Sequence, residues 1–137
     1  MKPLLKILTV ALVAGAFSVA AFAASSARQE IATAIEHAGY AAQANQVAKV
    51  HLHLHHVVNC LVGKHGKQFY APAGDPCKGM GRGAINDAGA HTALKARLEK
   101  VLNMAERGLS ENKLKNAKAS ALHVKRMLKS VQGSMKK

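Results

Sequence analysis

The sequence predicts an all-α protein: an antiparallel four-helix bundle in which one long Gly/Pro-rich loop, tied by a disulfide, joins the second and third helices. Three observations support this fold class. Apolar residues recur at spacings of three and four, no segment alternates convincingly with a period of two, and the only two cysteines, Cys60 and Cys77, enclose much of that loop. The length of 137 residues suits a single domain.

The chain begins with the pattern of a secretory signal peptide, predicted to span residues 1–23. Two lysines precede an apolar stretch, which ends in the cleavage pattern Ala21-Phe22-Ala23. An uncleaved membrane anchor is the alternative, and the many small residues of the stretch disfavour it. The sequence therefore predicts a periplasmic or secreted protein, with residues 24–137 forming a single helical domain that has no membrane span after signal removal.

The first two helices are predicted from capping and periodicity. Ser26-Ala27-Arg28-Gln29 matches a capping box, and apolar residues follow on one face until Gly39, which predicts a short first helix. The second helix is predicted at about 42–62, where one apolar stripe comprises Val47, Val50, Leu54, Val57, Val58 and Leu61. Whether the two helices are continuous through Gly39 stays open.

The loop after the second helix contains glycines and prolines that would leave it mobile without a cross-link. In an exported chain, Cys60 and Cys77 are expected to form a disulfide that stabilises the fold by about 3 kcal/mol. Free thiolates acting as metal ligands or redox centres are the alternative. No C-x-x-C or C-x-x-C-H motif occurs, which disfavours a thioredoxin-like centre and covalent haem.

Two further helices complete the predicted bundle. The third is predicted from about Ala88 to Leu109, on a stripe of leucines, valine and alanine. The fourth has the clearest pattern, a heptad seam formed by Leu114, Ala117, Ala121, Val124, Leu128 and Val131.

Histidine is concentrated in the second helix, where it occupies four of the six positions 51–56. Imidazole binds Cu, Ni and Zn at neutral pH. At 100° per residue, His51 and His55 share one shoulder of the apolar stripe, and His53 and His56 lie on the other. The i, i+4 spacing makes His51 and His55 the predicted chelating pair.

Other histidines are expected to assist that pair. His53 and His56 are candidates, and so is His91, which the periodicity places on the inward stripe of the third helix. A backbone or carboxylate partner is the alternative for a buried His91. His37 would fold back toward His51 and His55 if the chain turned at Gly39.

The charge favours acidic partners. Without Lys2 and Lys6, 18 basic residues face 7 acidic ones, a formal charge of +11. Anionic envelope lipid, cell-wall polymer or haem propionates suit an exported chain, whereas export and the scarcity of aromatic residues argue against nucleic acid. Lysines that simply solvate the helix faces are the alternative.

Motifs of catalysis are absent from the sequence. There is no H-E-x-x-H, no P-loop and no G-x-S-x-G, and the acidic residues are scattered without a nucleophile and base arrangement. The sequence therefore predicts a protein that is not an enzyme.

Two central segments carry a resemblance. Residues 53–63 (HLHHVVNCLVG) and 76–84 (PCKGMGRGA) resemble the signature of a group of small, exported bacterial helical proteins. The resemblance covers about 30 residues, implies that histidines, cysteines and glycine loop act as one unit, and brings no defined activity. In composition alone the chain is similar to periplasmic histidine-rich small metal-binding proteins, which implies metal scavenging.

Three hypotheses of function follow. The leading one is a periplasmic, non-catalytic bundle that binds Cu, Ni or Zn through the histidine cluster. The second is a b-type haem-binding or electron-transfer bundle, with a histidine and Met104, Met127 or another histidine as axial ligands. The third is a basic cell-envelope interaction or chaperone-like module whose histidines tune binding with pH.

Overall fold

The computed structural model describes residues 16–135, and within this range it contains helices but no strand. Most of the predicted signal peptide, residues 1–15, lies outside the described range. No helix among the described residues is both long and apolar enough to cross a membrane. The five α-helices and one 3₁₀ turn are α1 (Ala16–Gln43), α2 (Val47–Val62), the 3₁₀ turn (Ala71–Ala73), α3 (Ala84–Asp87), α4 (Thr92–Leu109) and α5 (Leu114–Ser134).

Helix α1 is longer than predicted at both ends. The predicted end at Gly39 is wrong: the helix continues to Gln43, and the chain reverses within residues 44–46. Gly39 is buried against α5, where a Cβ atom would lie 3.1 Å from Nζ of Lys125. The glycine therefore serves close packing between helices. The predicted capping box is also wrong, because Ser26 is buried inside α1.

The core lies between the four long helices. Helix α1 packs against α2 and α5, and α4 packs against the same two helices. The stripe of α2 is buried as predicted, apart from Val47 at its start, and so is the α5 seam from Ala117 to Val131. The largest fully buried apolar side chains are Ile31, Leu54, Leu61, Leu98, Leu128, Val50, Val57, Val58, Val101, Val124 and Val131.

The predicted third helix is divided. Residues Ala84–Asp87 form the short α3, and α4 begins only at Thr92. Gly89 between them has φ +55°, a left-handed conformation that interrupts a right-handed helix. The start predicted at Ala88 is therefore wrong, whereas the end at Leu109 is confirmed.

The loop between α2 and α3 is fastened to α2. A disulfide joins Cys60 and Cys77, as predicted, with a Cα–Cα distance of 5.3 Å. Buried Asn59 donates from its amide to the carbonyl oxygens of Tyr70 (3.0 Å) and Gly74 (2.6 Å), and its Oδ1 accepts from the Tyr70 N–H (2.8 Å). These bonds satisfy a buried amide and fix the loop beside the histidines of α2.

Two glycines close the loop. Gly63 follows α2 with φ +70°, and Gly83 precedes α3 with φ +101°. Their backbones are so close that a Cβ on Gly63 would lie 2.0 Å from the carbonyl oxygen of Arg82, and one on Gly83 would lie 2.4 Å from the Gly63 nitrogen. Only glycine combines this conformation with this approach.

Candidate metal centre

The reversal between α1 and α2 brings three histidines together. His37 lies six residues before the end of α1, and His53 lies six residues after the start of α2, so the two face each other across the hairpin. His56 is nearly one turn beyond His53 on the same side of α2. The three rings form what we call the triad: His37, His53 and His56.

The triad nitrogens lie at ligand spacing. Nδ1 of His37 is 3.1 Å from Nδ1 of His56 and 3.2 Å from Nδ1 of His53. One ring nitrogen from each residue lies within 4.8 Å of the others. Two nitrogens bound to one tetrahedral zinc ion, at Zn–N distances of about 2.05 Å, lie about 3.3 Å apart. The two short pairs therefore need little movement to hold an ion.

The loop determines which nitrogen of His56 is available. Its Nε2 lies 2.7 Å from the carbonyl oxygen of Ala73, which can only accept, so Nε2 carries the proton. In the tautomer that this hydrogen bond selects, Nδ1 has a free lone pair facing His37. A backbone carbonyl that orients a ligating imidazole in this way is a common feature of metal sites.

His37 holds the proton that binds the triad together without metal. Its Nδ1 lies within hydrogen-bond distance of two other Nδ1 atoms, and that of His56 has no proton to donate. An Nδ1–H on His37 can be shared between His53 and His56. Metal binding requires this proton to move to Nε2 or to solvent, since a ligating nitrogen needs its lone pair.

Burial and neighbouring rings favour the neutral forms of His37 and His53. Burial, followed by repulsion from His56 and His53, lowers the pKa of His37 from 6.5 to about 4. Burial and then His56 also lower the pKa of His53. A low pKa leaves the lone pairs free for metal down to mildly acidic pH.

An exposed tyrosine borders the triad. Tyr40 meets the ring of His37 edge-on, with centroids 5.6 Å apart, and lies 5.4 Å from the ring of His53. All three histidines are partly accessible, and Tyr40 is 53% exposed. Three protein ligands with solvent beside them leave room for a fourth ligand, such as water.

His51 and His55, the predicted chelating pair, lie on the other shoulder of α2. Nε2 of His51 donates to the carbonyl oxygen of Glu111 between α4 and α5 at 3.0 Å. His55 stacks on Tyr70 with centroids 4.2 Å apart, and its buried Nδ1 has no hydrogen-bond partner among the described residues. Burial, then His51 and His56, lower the pKa of His55.

The structure thus separates the predicted ligands. It joins His53 and His56 to His37, and among residues 16–135 it places no third histidine, cysteine or carboxylate with His51 and His55. His91 is exposed at the start of α4, so its predicted inward position is wrong; it precedes the helix, and helical periodicity does not apply to it. Cys60 and Cys77 form the disulfide, so neither offers a free thiolate as a metal ligand.

His37 is a candidate ligand that the sequence did not place among the primary ones. The expected turn at Gly39 would have brought it back toward His51 and His55. A turn at 44–46 instead aligns it with His53. His37 and His53 are equally far in sequence from Ala44–Gln46, and this spacing could have indicated that they meet. The spacing is informative only once the turn is known to lie at 44–46.

A second ionisable group lies at the far end of the loop. Glu30 of α1 is 1% exposed; its Oε1 accepts from the Gly83 N–H at 2.8 Å, and its Oε2 has no partner among the described residues. Burial, and to a smaller degree Asp87 and Asp75, raise its pKa to about 7. Asp87 itself pairs with Arg82. This group shares no residue with the triad.

Comparison with family models, curated proteins and solved structures finds no match to this chain. The case for a function therefore rests on the geometry described above.

Proposed function

We propose that this protein is a non-catalytic binding protein for a transition-metal ion, held by His37, His53 and His56. The observation that carries the proposal is the convergence of three imidazoles from two helices, with nitrogen separations of 3.1 and 3.2 Å. Without a metal, the single Nδ1–H of His37 must serve both His53 and His56, so each of them accepts only a shared hydrogen bond, whereas an ion would accept a lone pair from all three rings.

The ligand chemistry selects copper, nickel or zinc. Imidazole nitrogen suits all three ions, whereas magnesium and calcium prefer oxygen. The formal charge of +11 that remains without Lys2 and Lys6 opposes cation capture, but charges beyond about 8 Å are largely screened at physiological salt. Direct coordination by neutral rings outweighs this distant repulsion.

The compartment and topology belong to the same proposal. A structural disulfide suits an oxidising space, and we propose that the chain works in the periplasm or outside the cell after cleavage behind Ala23. The short connections at 44–46 and 110–113 support an antiparallel arrangement of the four long helices. In this arrangement the α1–α2 hairpin carries the metal, and α4 and α5 complete the core.

Calorimetric titration of the chelator-treated protein with Cu²⁺, Ni²⁺ and Zn²⁺ at neutral pH tests the proposal. We expect the His37→Ala/His53→Ala variant to bind about a hundredfold more weakly than wild type, because losing even an outer partner of a ligand costs tenfold to about a hundredfold. The stoichiometry from the titration should be one ion per chain.

The matched control is His51→Ala/His55→Ala. It also removes two histidines, both from α2, and leaves the triad intact. We expect its affinity to stay close to that of wild type. If the control loses affinity and the triad variant does not, the predicted His51–His55 chelate is the site and the triad proposal is wrong. Equal, weak binding by all three proteins removes metal binding altogether.

A further inference from the structure

The outer side of the α4–α5 pair contains a cationic groove of about 460 Å³. Its polar rim comprises Arg97, Lys100, His123 and Arg126, and no carboxylate lines it. The apolar floor consists of Val101, Met127 and Val131. A cleft that combines cations with an apolar floor suits a ligand that is anionic at one end and apolar at the other.

One cation of the groove is held in place. Arg97 of α4 donates from Nη1 to the hydroxyl of Ser134 at 2.6 Å and from Nη2 to that of Ser130 at 3.0 Å, both on α5. The hydroxyls orient the guanidinium without neutralising it. Among residues 16–135 the one ion pair is Arg82 with Asp87, so none of the groove cations is paired with a described carboxylate.

Helix α5 extends this charge along its whole length. It has no acidic residue and five basic ones, Lys115, Lys118, Lys125, Arg126 and Lys129. Leu122 lies among them, 46% exposed, one turn before Arg126 and one turn after Lys118. Leu122 therefore adds one exposed apolar side chain to a surface whose cations attract anionic lipid.

We propose that the α4–α5 face docks on an anionic phospholipid surface, with the phosphate of a lipid headgroup in the cationic groove and Leu122 in the apolar boundary. Arg97, Lys100 and Arg126 supply the charge for the phosphate, and the apolar floor accepts the adjoining glycerol and acyl carbons. Basic residues near an anionic leaflet each strengthen attachment, and the effect weakens within a Debye length. This site shares no residue with the triad.

Co-sedimentation with vesicles of phosphatidylcholine, with and without phosphatidylglycerol, tests this proposal on the metal-free protein. We expect wild type to bind only the anionic vesicles and to be released by sodium chloride. The Lys100→Gln/Arg126→Gln variant should partition about tenfold more weakly than the control Lys64→Gln/Lys67→Gln, which loses the same charge from an exposed loop. Circular dichroism checks that both variants are folded.

Leu122→Ser sharpens the test, because it should weaken partitioning to anionic vesicles while leaving the salt dependence unchanged. If both charge variants lose the same degree of vesicle partitioning, the attraction depends on total charge and not on the groove, and the proposal is wrong. Binding to pure phosphatidylcholine by wild type would also overturn it. If wild type binds inorganic phosphate in the groove but does not sediment with the anionic vesicles, the groove binds soluble phosphate and membrane docking is wrong.

Discussion

The two shoulders of helix α2 carry the same residue in opposite roles. On one shoulder, His53 and His56 face His37 of α1 and form a cluster of ring nitrogens. On the other, His51 donates to the carbonyl oxygen of Glu111, and His55 stacks on Tyr70. The residues are neighbours in sequence, so the difference comes entirely from what each shoulder meets.

The partner determines whether an imidazole can act as a ligand. A backbone carbonyl such as that of Glu111 uses the N–H of His51 and fastens the connection between α4 and α5 to α2. A ring surface such as that of Tyr70 covers His55 and leaves its buried Nδ1 without a partner among the described residues. Facing imidazoles offer lone pairs to a common point. The first arrangement stabilises the fold, whereas the last has the geometry that could hold a metal ion.

The largest expected effect comes from the loop that touches both shoulders. Replacing the disulfide by Cys60→Ala/Cys77→Ala should lower the free energy of unfolding by about 3 kcal/mol, because a 17-residue separation is no longer closed in the unfolded chain. Urea unfolding with chelator present measures this loss.

The same variant sharpens the comparison through metal titration. The loop carbonyl of Ala73 orients His56, so loosening the loop should weaken metal binding by about tenfold. The contact between His51 and Glu111 does not involve the loop. If affinity is unchanged while stability falls, Ala73 does not orient the triad.

The second effect is a pH dependence of stability, measured without metal. His37 has a pKa of about 4 when folded and 6.5 as its ordinary value, so the unfolded chain binds more protons between these values. The free energy of unfolding should therefore fall as pH drops from 6.5 to 4, by about 2 kcal/mol for a partly buried ring.

Glu30 opposes this slope. Its pKa rises from 4.5 to about 7 on folding, so its contribution to stability is present below pH 4.5 and is lost as pH rises through 7. Glu30→Gln should remove this pH-dependent contribution. The free energy of unfolding of the variant should then fall more steeply toward acid, as His37 alone predicts. Glu36→Gln, an exposed glutamate on the same helix, is the control. Coincident profiles for the two variants would contradict the assignment.

The smallest effect concerns the stabilising shoulder. His51→Ala should lower the free energy of unfolding by about 1 kcal/mol, because it removes a hydrogen bond to the Glu111 carbonyl. Its metal affinity should equal that of wild type. A tenfold loss of affinity in His51→Ala would erase the distinction between the shoulders.

Most features that depend on spacing within one segment were predicted correctly, whereas most features that depend on contacts between segments were not. Periodicity identified the stripe of α2 and the α5 seam because burial of one face depends on local spacing. The pairing of Cys60 with Cys77 was predictable because only two cysteines are present. Gly39 and the start of α4 were misjudged, since glycine interrupts a helix at Gly89 but packs against Lys125 at Gly39.

By itself the sequence determined the helical class, the disulfide, the basic charge and the presence of an imidazole-rich helix. These depend on composition and on spacing within one element. Only the tertiary structure decided which imidazoles meet, because the reversal at 44–46 sets the register of α1 against α2 and brings His37 to His53 and His56. A ligand set drawn from two helices is a property of their packing, and no periodicity within either helix encodes it.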